Sequence, residues 1–147
     1  MDNKLKSKTR LAAIQLVSQQ LVNNQDIESI KDEFNKHYRN TILDENLDKV
    51  QYNVNFLSKL IYYFKSINLN NLTIEINNLI KFDRQFEKWD SINKAIILIS
   101  ISELRNSKKE KIKIIFNDYI EISKFFVSSQ DTKLINSILD KLINENK

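Results

Sequence analysis

The 147-residue sequence contains no glycine and no proline, the two residues that most often form tight turns and interrupt helices. Hairpin turns of sheet proteins commonly need glycine, and long linkers are usually rich in glycine or proline. Asparagine is then the residue best suited to the left-handed ends of helices. The composition therefore predicts an all-α protein whose helices are joined by short polar turns.

Cysteine is also absent, and His37 is the only histidine. These counts exclude disulfides, thiolate metal sites and cysteine nucleophiles, and one histidine cannot build a histidine-rich zinc site. A chain without glycine holds neither a Walker A loop nor a dinucleotide-binding fingerprint. Glu33 and His37 are four residues apart, which is typical of a solvated helix face. We expect no metal and no cofactor, and most nucleotide-using enzymes are excluded.

Long apolar runs are missing as well. The longest, from Ala95 to Ile99, is far shorter than the ~20 residues that a membrane span needs. The basic N-terminus leads into an amphipathic stretch, which argues against a secretory signal. At this length roughly two thirds of the unfolded surface can be buried. We expect one soluble domain spanning residues 1–147 in the cytoplasm.

The clearest pattern in the chain runs from Lys113 to Lys141. Four residues recur there at i, i+4, i+7 and i+11, as on a helix with one buried face: Ile115, Tyr119, Ile122 and Phe126. A second apolar stripe follows a polar break: Leu134, Ile135, Ile138, Leu139 and Leu142. Within the break, Ser128 and Asp131 have the spacing of a helix cap. The stretch is predicted to be a helix, a tight turn and a second helix.

This stretch resembles the C-terminal signature of the NusB family of bacterial antitermination factors. Aligned without a gap, these residues are identical to the signature: Lys113, Asn117, Glu121, Lys124, Phe126, Lys133, Asn136, Leu139, Asp140 and Lys141. Asp118, Leu134 and Ile135 match it conservatively. The resemblance implies a compact bundle of about six to seven helices in two helical subdomains. It also implies a transcription factor that binds RNA and is not an enzyme.

Helical stripes cover the rest of the chain. They are Leu11, Ile14, Val17 and Leu21; Ile27, Ile30, Phe34 and Tyr38; Val50, Val54, Leu57, Leu60 and Ile61; Leu72, Ile76, Leu79 and Ile80; and Ile92, Ala95, Ile96, Ile99 and Leu104. A turn is predicted from Thr41 to Asn46. Ser91 is predicted to cap the last of these helices, which we expect to be the most enclosed one.

Four basic residues precede the first stripe: Lys4, Lys6, Lys8 and Arg10. On composition alone, a solvated terminus of a lysine-rich protein explains them better than a binding site does. The resemblance favours the opposite interpretation, because Arg10, Ala13 and Gln15 match an N-terminal family pattern in which a basic arm and a helix hold RNA. It implies RNA contacts by Lys6, Lys8, Arg10 and Gln15. Ser18 replaces the tyrosine of that pattern.

The predicted central helix matches its family pattern at Lys94, Ala95, Glu103 and Leu104. Asn93, Leu98 and Ser102 stand where the pattern has glutamate, arginine and tyrosine. Since relatives contact a protein partner from this helix, Asn93 is the candidate partner-binding residue. A second basic cluster follows: Arg105, Lys108, Lys109, Lys111 and Lys113. A solvated connector is our first interpretation of this cluster, and extra phosphate contact is the second.

The turn between the last two helices also departs from the family. Val127 replaces a glycine, so a positive φ there would strain its backbone and we expect a turn of different shape. Gln130 replaces an aspartate, which removes repulsion toward phosphate and adds hydrogen-bond donors for base edges. The resemblance implies RNA contacts by Phe126, Gln130 and Lys133. For Asn136 we prefer a buried structural role to a nucleotide contact.

The resemblance implies binding of boxA-type single-stranded RNA in nascent ribosomal RNA, together with NusE, a ribosomal protein of the RNA polymerase antitermination complex. Lys6, Lys8 and Arg10 would capture phosphates, and Phe126 and Gln130 would shape the adjoining surface. Two alternatives stay open. One is a helical protein-interaction module for which the net charge of +4 is incidental, and the other is the isolated RNA-binding domain of a ribosomal-RNA methyltransferase. Monomer and homodimer are both open.

Overall fold

The computed structural model describes residues 1–38, 52–80 and 84–144. Within these ranges the chain forms seven α-helices and no strand, which confirms the all-α prediction. The helices are α1 (Asn3–Asn23), α2 (Ile27–Tyr38), α3 (Val54–Lys65), α4 (Leu69–Leu79), α5 (Ser91–Arg105), α6 (Ile112–Ser123) and α7 (Ser129–Asn144). Short 3-10 turns precede α5 and α6, at Phe86–Lys88 and Lys109–Lys111. The turn predicted from Thr41 to Asn46 and the side chain of Val50 lie outside the described residues.

Asparagine takes the helix-end positions that glycine often holds. Asn24 ends α1 in the left-handed conformation, with φ 55° and ψ 35°. Asn53 and Asn68 precede α3 and α4, and each side chain accepts a hydrogen bond from a backbone N–H in the first turn. Ser128 Oγ accepts a 3.1 Å bond from the Asp131 N–H at the start of α7, as the spacing predicted. Side-chain caps thus begin α3, α4 and α7, and a left-handed asparagine ends α1, without glycine or proline.

Helix α5 lies at the centre of the fold. The ten residues from Ala95 to Leu104 are all buried, and α5 packs against α1, α3, α6 and α7. A helix that is apolar around most of its circumference needs such a position. The prediction of a cap at Ser91 was wrong by one residue: Asp90 holds the cap position, and Ser91 is the first residue of the helix.

The predicted stripes supply the core. The stripes of all seven helices contribute buried side chains to one cluster. Seven members are only partly buried and pack against the cluster from its edge: Leu11, Leu21, Phe34, Leu79, Ile92, Phe126 and Leu134. Among the described helices, none is long and apolar enough to cross a membrane.

An ion pair joins α2 to α3. Glu28 contacts Lys31 at 2.7 Å and Lys65 at 3.3 Å, and the hydrogen bond from Lys31 is the main cause that lowers the pKa of Glu28. Because the folded-state pKa lies below the ordinary value, this contribution is present above that value and disappears as the pH falls through the folded-state pKa.

We expect Glu28→Gln to lower the free energy of unfolding by about 0.5 kcal/mol at pH 7, since the pair is exposed to solvent. The difference from the unmodified protein should be smaller at about pH 3, below the ordinary value of 4.5. Urea denaturation at both pH values measures it, with Glu33→Gln on the exposed part of the same helix as the control. A difference of equal size at both pH values would show that the ion pair is not its source.

Candidate RNA-binding surface

The basic N-terminal segment is helical and is not the flexible arm that the sequence suggested. Helix α1 begins at Asn3, and the Asp2 side chain accepts a 2.7 Å hydrogen bond from the Leu5 N–H. Asp2 is a favoured N-cap residue type, and this signal was available in the sequence. The helix therefore fixes the directions in which Lys4, Lys6 and Lys8 point.

These directions divide the predicted RNA-binding residues into two groups. Lys8 and Gln15 are exposed and lie two helical turns apart, so they share the outer face of α1. Lys6 and Arg10 are one turn apart on a different face, where both line a cavity between α1, α3 and α6. The four residues do not form one surface.

Arg10 lies at the centre of a buried network. Its Nε and Nη2 atoms each donate a 2.8 Å hydrogen bond to one carboxylate oxygen of Glu103 on α5, and its Nη1 atom donates a 2.6 Å bond to Asp118 on α6. The Tyr119 hydroxyl donates a 2.5 Å bond to Glu103 Oε1. The guanidinium carbon also lies 5.5 Å from the ring centroids of Phe56 and Tyr119.

This environment contradicts the predicted phosphate contact by Arg10. The residue is only 5% exposed, and its positive charge is paired with the carboxylates of Glu103 and Asp118. Burial disfavours the charged guanidinium, but hydrogen bonding and attraction from Glu103 outweigh burial, so the pKa of Arg10 is raised. Reaching an RNA phosphate would require breaking a bidentate pair in a dry environment. Arg10 ties α1 to α5 and α6.

The exposed aromatic residue at the turn after α6 is Phe125. It is 82% exposed, whereas the predicted contact Phe126 is half-buried and packs against the core. The stripe that begins at Ile115 reaches Phe126 and predicted its burial, whereas the RNA role of Phe126 was implied by the family resemblance. Phe125 lies outside this stripe, and that was the available signal that it has no core to pack against.

The first turns of α7 present two predicted RNA-binding residues to solvent. Gln130 and Lys133 are exposed, and neither forms a side-chain hydrogen bond or ion pair within the described part of the chain. Val127 does not have a positive φ, so the turn avoids the strain that a glycine-like conformation would cause. Asn136 is exposed on α7, and the buried structural role that we preferred for it was wrong.

Polar residues connect this region to α1 through the first turn of α5. Ser18 and Ser91 hydroxyls are 3.0 Å apart, and the Asn93 amide donates a 3.2 Å hydrogen bond to Asp131 on α7. Ser18 lies three residues after Gln15, and Asp131 directly follows Gln130. Gln15 and Gln130 therefore lie on either side of the first turn of α5.

The other two substituted positions of the central helix are inside the protein. Leu98 is 1% exposed and Ser102 is 3% exposed, with the Ser102 hydroxyl bonded to the carbonyl of Ile99. Neither side chain can form the surface contact that arginine or tyrosine would make. Asn93 is half-buried and is the one of the three that a partner protein could reach.

The second basic cluster has no single role. Arg105 forms a 3.0 Å ion pair with Glu75, which joins α5 to α4. Lys108, Lys109 and Lys113 are exposed around the 3-10 turn before α6, as expected of a solvated connector. Lys111 lines the cavity that also contains Lys6.

The predicted RNA-binding residues therefore do not surround one basic centre, because Arg10 is buried and paired with two carboxylates. Helix α6 lies beside the first half of α1, because Ser7 donates a 2.6 Å hydrogen bond to Asp118. Lys111 lines a cavity with Lys6, and Asp118 bonds to Ser7 and Arg10, so α6 runs alongside α1 in the same direction. The turn after α6 therefore lies toward the Gln15 end of α1, and Lys8 lies two turns before Gln15. Of the two acidic side chains that flank this turn, Glu121 pairs with Lys124 at 2.8 Å and Asp131 accepts a hydrogen bond from Asn93. In the described residues no cluster of histidine, aspartate or glutamate could hold a metal ion.

The comparison with known families agrees with this arrangement. A family model described as the NusB family matches residues 7–144 of the chain. The chain belongs to the NusB family. The resemblance seen in the signature segment is thus confirmed over nearly the whole sequence, and membership in a family of non-catalytic transcription factors agrees with the expectation that the chain is not an enzyme.

Individual relatives align with the chain over a similar extent. The transcription antitermination protein NusB of Rickettsia felis is 30% identical, over 96% of this chain and 92% of the relative. Those of Rickettsia massiliae and Shewanella frigidimarina are 29% and 26% identical, and each match spans 92% of the relative. The chain therefore aligns with NusB proteins over nearly their full length.

Proposed function

We propose that this protein is a transcription antitermination factor that binds boxA-type single-stranded RNA together with a NusE-like ribosomal protein, in the cytoplasm. Family membership and the names of its relatives support the antitermination role. The observation that carries the RNA-binding part is a set of four exposed side chains, Lys8, Gln15, Gln130 and Lys133, on two helices that are linked through the first turn of α5. We call this set the α1–α7 surface. All four side chains are exposed, and none is paired within the described residues.

The chemistry of the α1–α7 surface suits an unpaired RNA strand. Lys8 and Lys133 supply fixed positive charge for phosphates. The amides of Gln15 and Gln130 carry both donors and acceptors, as base edges require. Exposed Phe125 offers a ring on which a base can stack, in place of half-buried Phe126. Arg10 positions α1 but contacts no RNA.

The proposed partner contact is at Asn93. Its amide nitrogen donates to Asp131, which leaves its carbonyl oxygen for a donor on a partner protein. Buried Leu98 and Ser102 limit what else α5 can offer. We therefore propose a partner interface around the first turn of α5, adjoining Gln15 and Gln130, so that RNA and partner protein would bind side by side.

Filter binding of a short boxA-type RNA tests the proposal. Phosphate contacts by Lys8 and Lys133 contribute about −1.4 to the slope of log affinity against log salt concentration, since each contact on a single strand contributes about 0.7. In Lys8→Gln/Lys133→Gln we expect the slope to be shallower by about that amount and binding to be roughly tenfold weaker near 0.1 M salt. The measurement is made with and without the NusE-like protein.

The matched control is Lys36→Gln/Lys141→Gln, which removes the same charge from exposed positions on α2 and near the end of α7. Its slope should stay near that of the unmodified protein. Equal loss in the two double variants would mean that only net charge matters, and the α1–α7 surface would then not be the site. Absence of RNA binding with and without the partner would favour the protein-interaction module instead.

A further inference from the structure

A cavity of about 560 Å³ opens on the side of α1 away from Lys8 and Gln15, between the first turns of α1, α3 and α6. Its size lies within the range of pockets that hold small ligands, roughly 300–1,000 Å³. The residues that give the cavity its chemistry are Lys6, Lys59, Lys111, Phe56, Asn55 and Ile114. We call it the α1–α3–α6 cavity.

Positive charge converges on this cavity from three separate segments. Lys6 comes from α1, Lys59 from α3 and Lys111 from the 3-10 turn before α6. None of the three pairs with a carboxylate in the described parts of the chain, and Lys59 Nζ lies 5.8 Å from the ring centroid of Tyr63. Three unpaired ammonium groups around one concave site favour an anionic ligand.

The acidic residue in the lining does not cancel this charge. Glu103 lies at the base of the cavity, but Arg10 donates to both of its carboxylate oxygens and the Tyr119 hydroxyl donates to one of them. The Arg10–Glu103 pair is neutral by itself, and Asp118, the second carboxylate bonded to Arg10, is not among the residues that line the cavity. The lysines at the mouth therefore determine the net charge that a ligand meets.

Apolar side chains line the cavity beside its three lysines. Ile114 is 59% exposed at the rim, although the next residue, Ile115, is buried. Phe56 is half-buried and presents its ring to the cavity wall. Asn55 is exposed and adds an amide with a donor and an acceptor. A flat heterocycle joined to a phosphate uses all three features: apolar wall, amide and ammonium groups.

We propose that the α1–α3–α6 cavity binds a nucleotide, with its phosphate held by Lys6, Lys59 and Lys111 and its base against Phe56 and Ile114. The nucleotide is either free or part of a bound RNA strand, and only the second source rests on the proposed function. In that case RNA would cross the end of α1, from the α1–α7 surface to the cavity.

Amide NMR of the full chain tests the free source, with adenosine and uridine 5′-monophosphates as probes. We expect saturable shifts at Asn55, Phe56 and Ile114, and at least tenfold weaker binding of adenosine, which lacks the phosphate. Lys59→Gln/Lys111→Gln should bind the monophosphates roughly tenfold more weakly. Lys113→Gln/Lys141→Gln removes the same charge from exposed positions on α6 and α7 outside the cavity, and should bind like the unmodified protein.

The same variants in the RNA filter assay test the second source. If monophosphates do not bind but Lys59→Gln/Lys111→Gln weakens RNA binding about tenfold more than the control does, the cavity holds a nucleotide of the strand. If Lys59→Gln/Lys111→Gln and its control bind equally well in both assays, the cavity is not a nucleotide site. Loss of RNA binding in Lys8→Gln/Lys133→Gln would then still support the proposed function. Conversely, monophosphate binding without any RNA binding would support the nucleotide site in the cavity and contradict the proposed RNA-binding function.

Discussion

Replacing Arg10 by methionine should lower the free energy of unfolding by about 3–5 kcal/mol, because removing one partner leaves a buried charge uncompensated. Glu103, 4% exposed, would keep only the Tyr119 hydroxyl as a donor to its side chain. For a chain of this size such a loss lowers the melting temperature by roughly 10 °C or more. Urea and thermal denaturation measure both quantities.

Lys8→Met is the matched control, since it removes one positive charge from the exposed face of the same helix. Its effect should stay within about 0.5 kcal/mol. Equal destabilisation by the two substitutions would contradict the structural role of Arg10.

The effects of the two substitutions on RNA binding should rank in the opposite order to their effects on stability. Below its melting temperature, Arg10→Met should keep the salt slope of the unmodified protein, because a buried guanidinium releases no counterions.

A double substitution separates the ion pair from the packing around it. Replacing Arg10 and Glu103 together by methionine removes both charges, and apolar replacement of a whole buried pair is often tolerated. The double variant should therefore be more stable than the sum of the two single losses predicts, by about 2 kcal/mol or more. Asp118 is 19% exposed in its side chain and keeps its bond to Ser7, so it is less affected.

The helices and the core could be predicted from the sequence because their signal is local. The stripes of α5, α6 and α7 have the period of a helix with a buried face. The absence of glycine correctly predicted asparagine at the left-handed end of α1, and the Ser128–Asp131 spacing correctly predicted the cap of α7. Even the error at Ser91 is one residue, within the usual uncertainty of helix boundaries.

The site was harder to predict because it depends on contacts between distant parts of the chain. Arg10 and Glu103 are 93 positions apart, and nothing local shows that one neutralises the other. Lys6 and Lys8 have the same chemistry and fall on different faces only because α1 already runs through them. A basic segment fixed in a helix divides its charges between two surfaces, whereas a flexible arm could have brought them to one.

Tyr119→Phe is the second large effect that we expect. The ring is completely buried, and its hydroxyl donates a 2.5 Å hydrogen bond to charged Glu103. Hydrogen bonds to charged groups contribute about 1.5–3 kcal/mol, so the variant should lose about that much stability at pH 7. The sequence showed Tyr119 only as a member of an apolar stripe, which gives no reason to expect a hydroxyl partner.

The pH dependence of this loss identifies its cause. Burial, and then the charge of Glu103, raise the pKa of Tyr119 well above its ordinary value of 10.0. A raised folded-state pKa means that the contribution is fully present below the ordinary value and is lost as the pH rises through the folded-state value. The stability difference between the unmodified protein and Tyr119→Phe should be constant from pH 7 to about pH 10 and decrease above it.

Tyr62→Phe, at a side chain 68% exposed, is the control and should have little effect at pH 7. A difference for Tyr119→Phe that stays constant to pH 11 would assign the loss to packing and not to the buried hydroxyl.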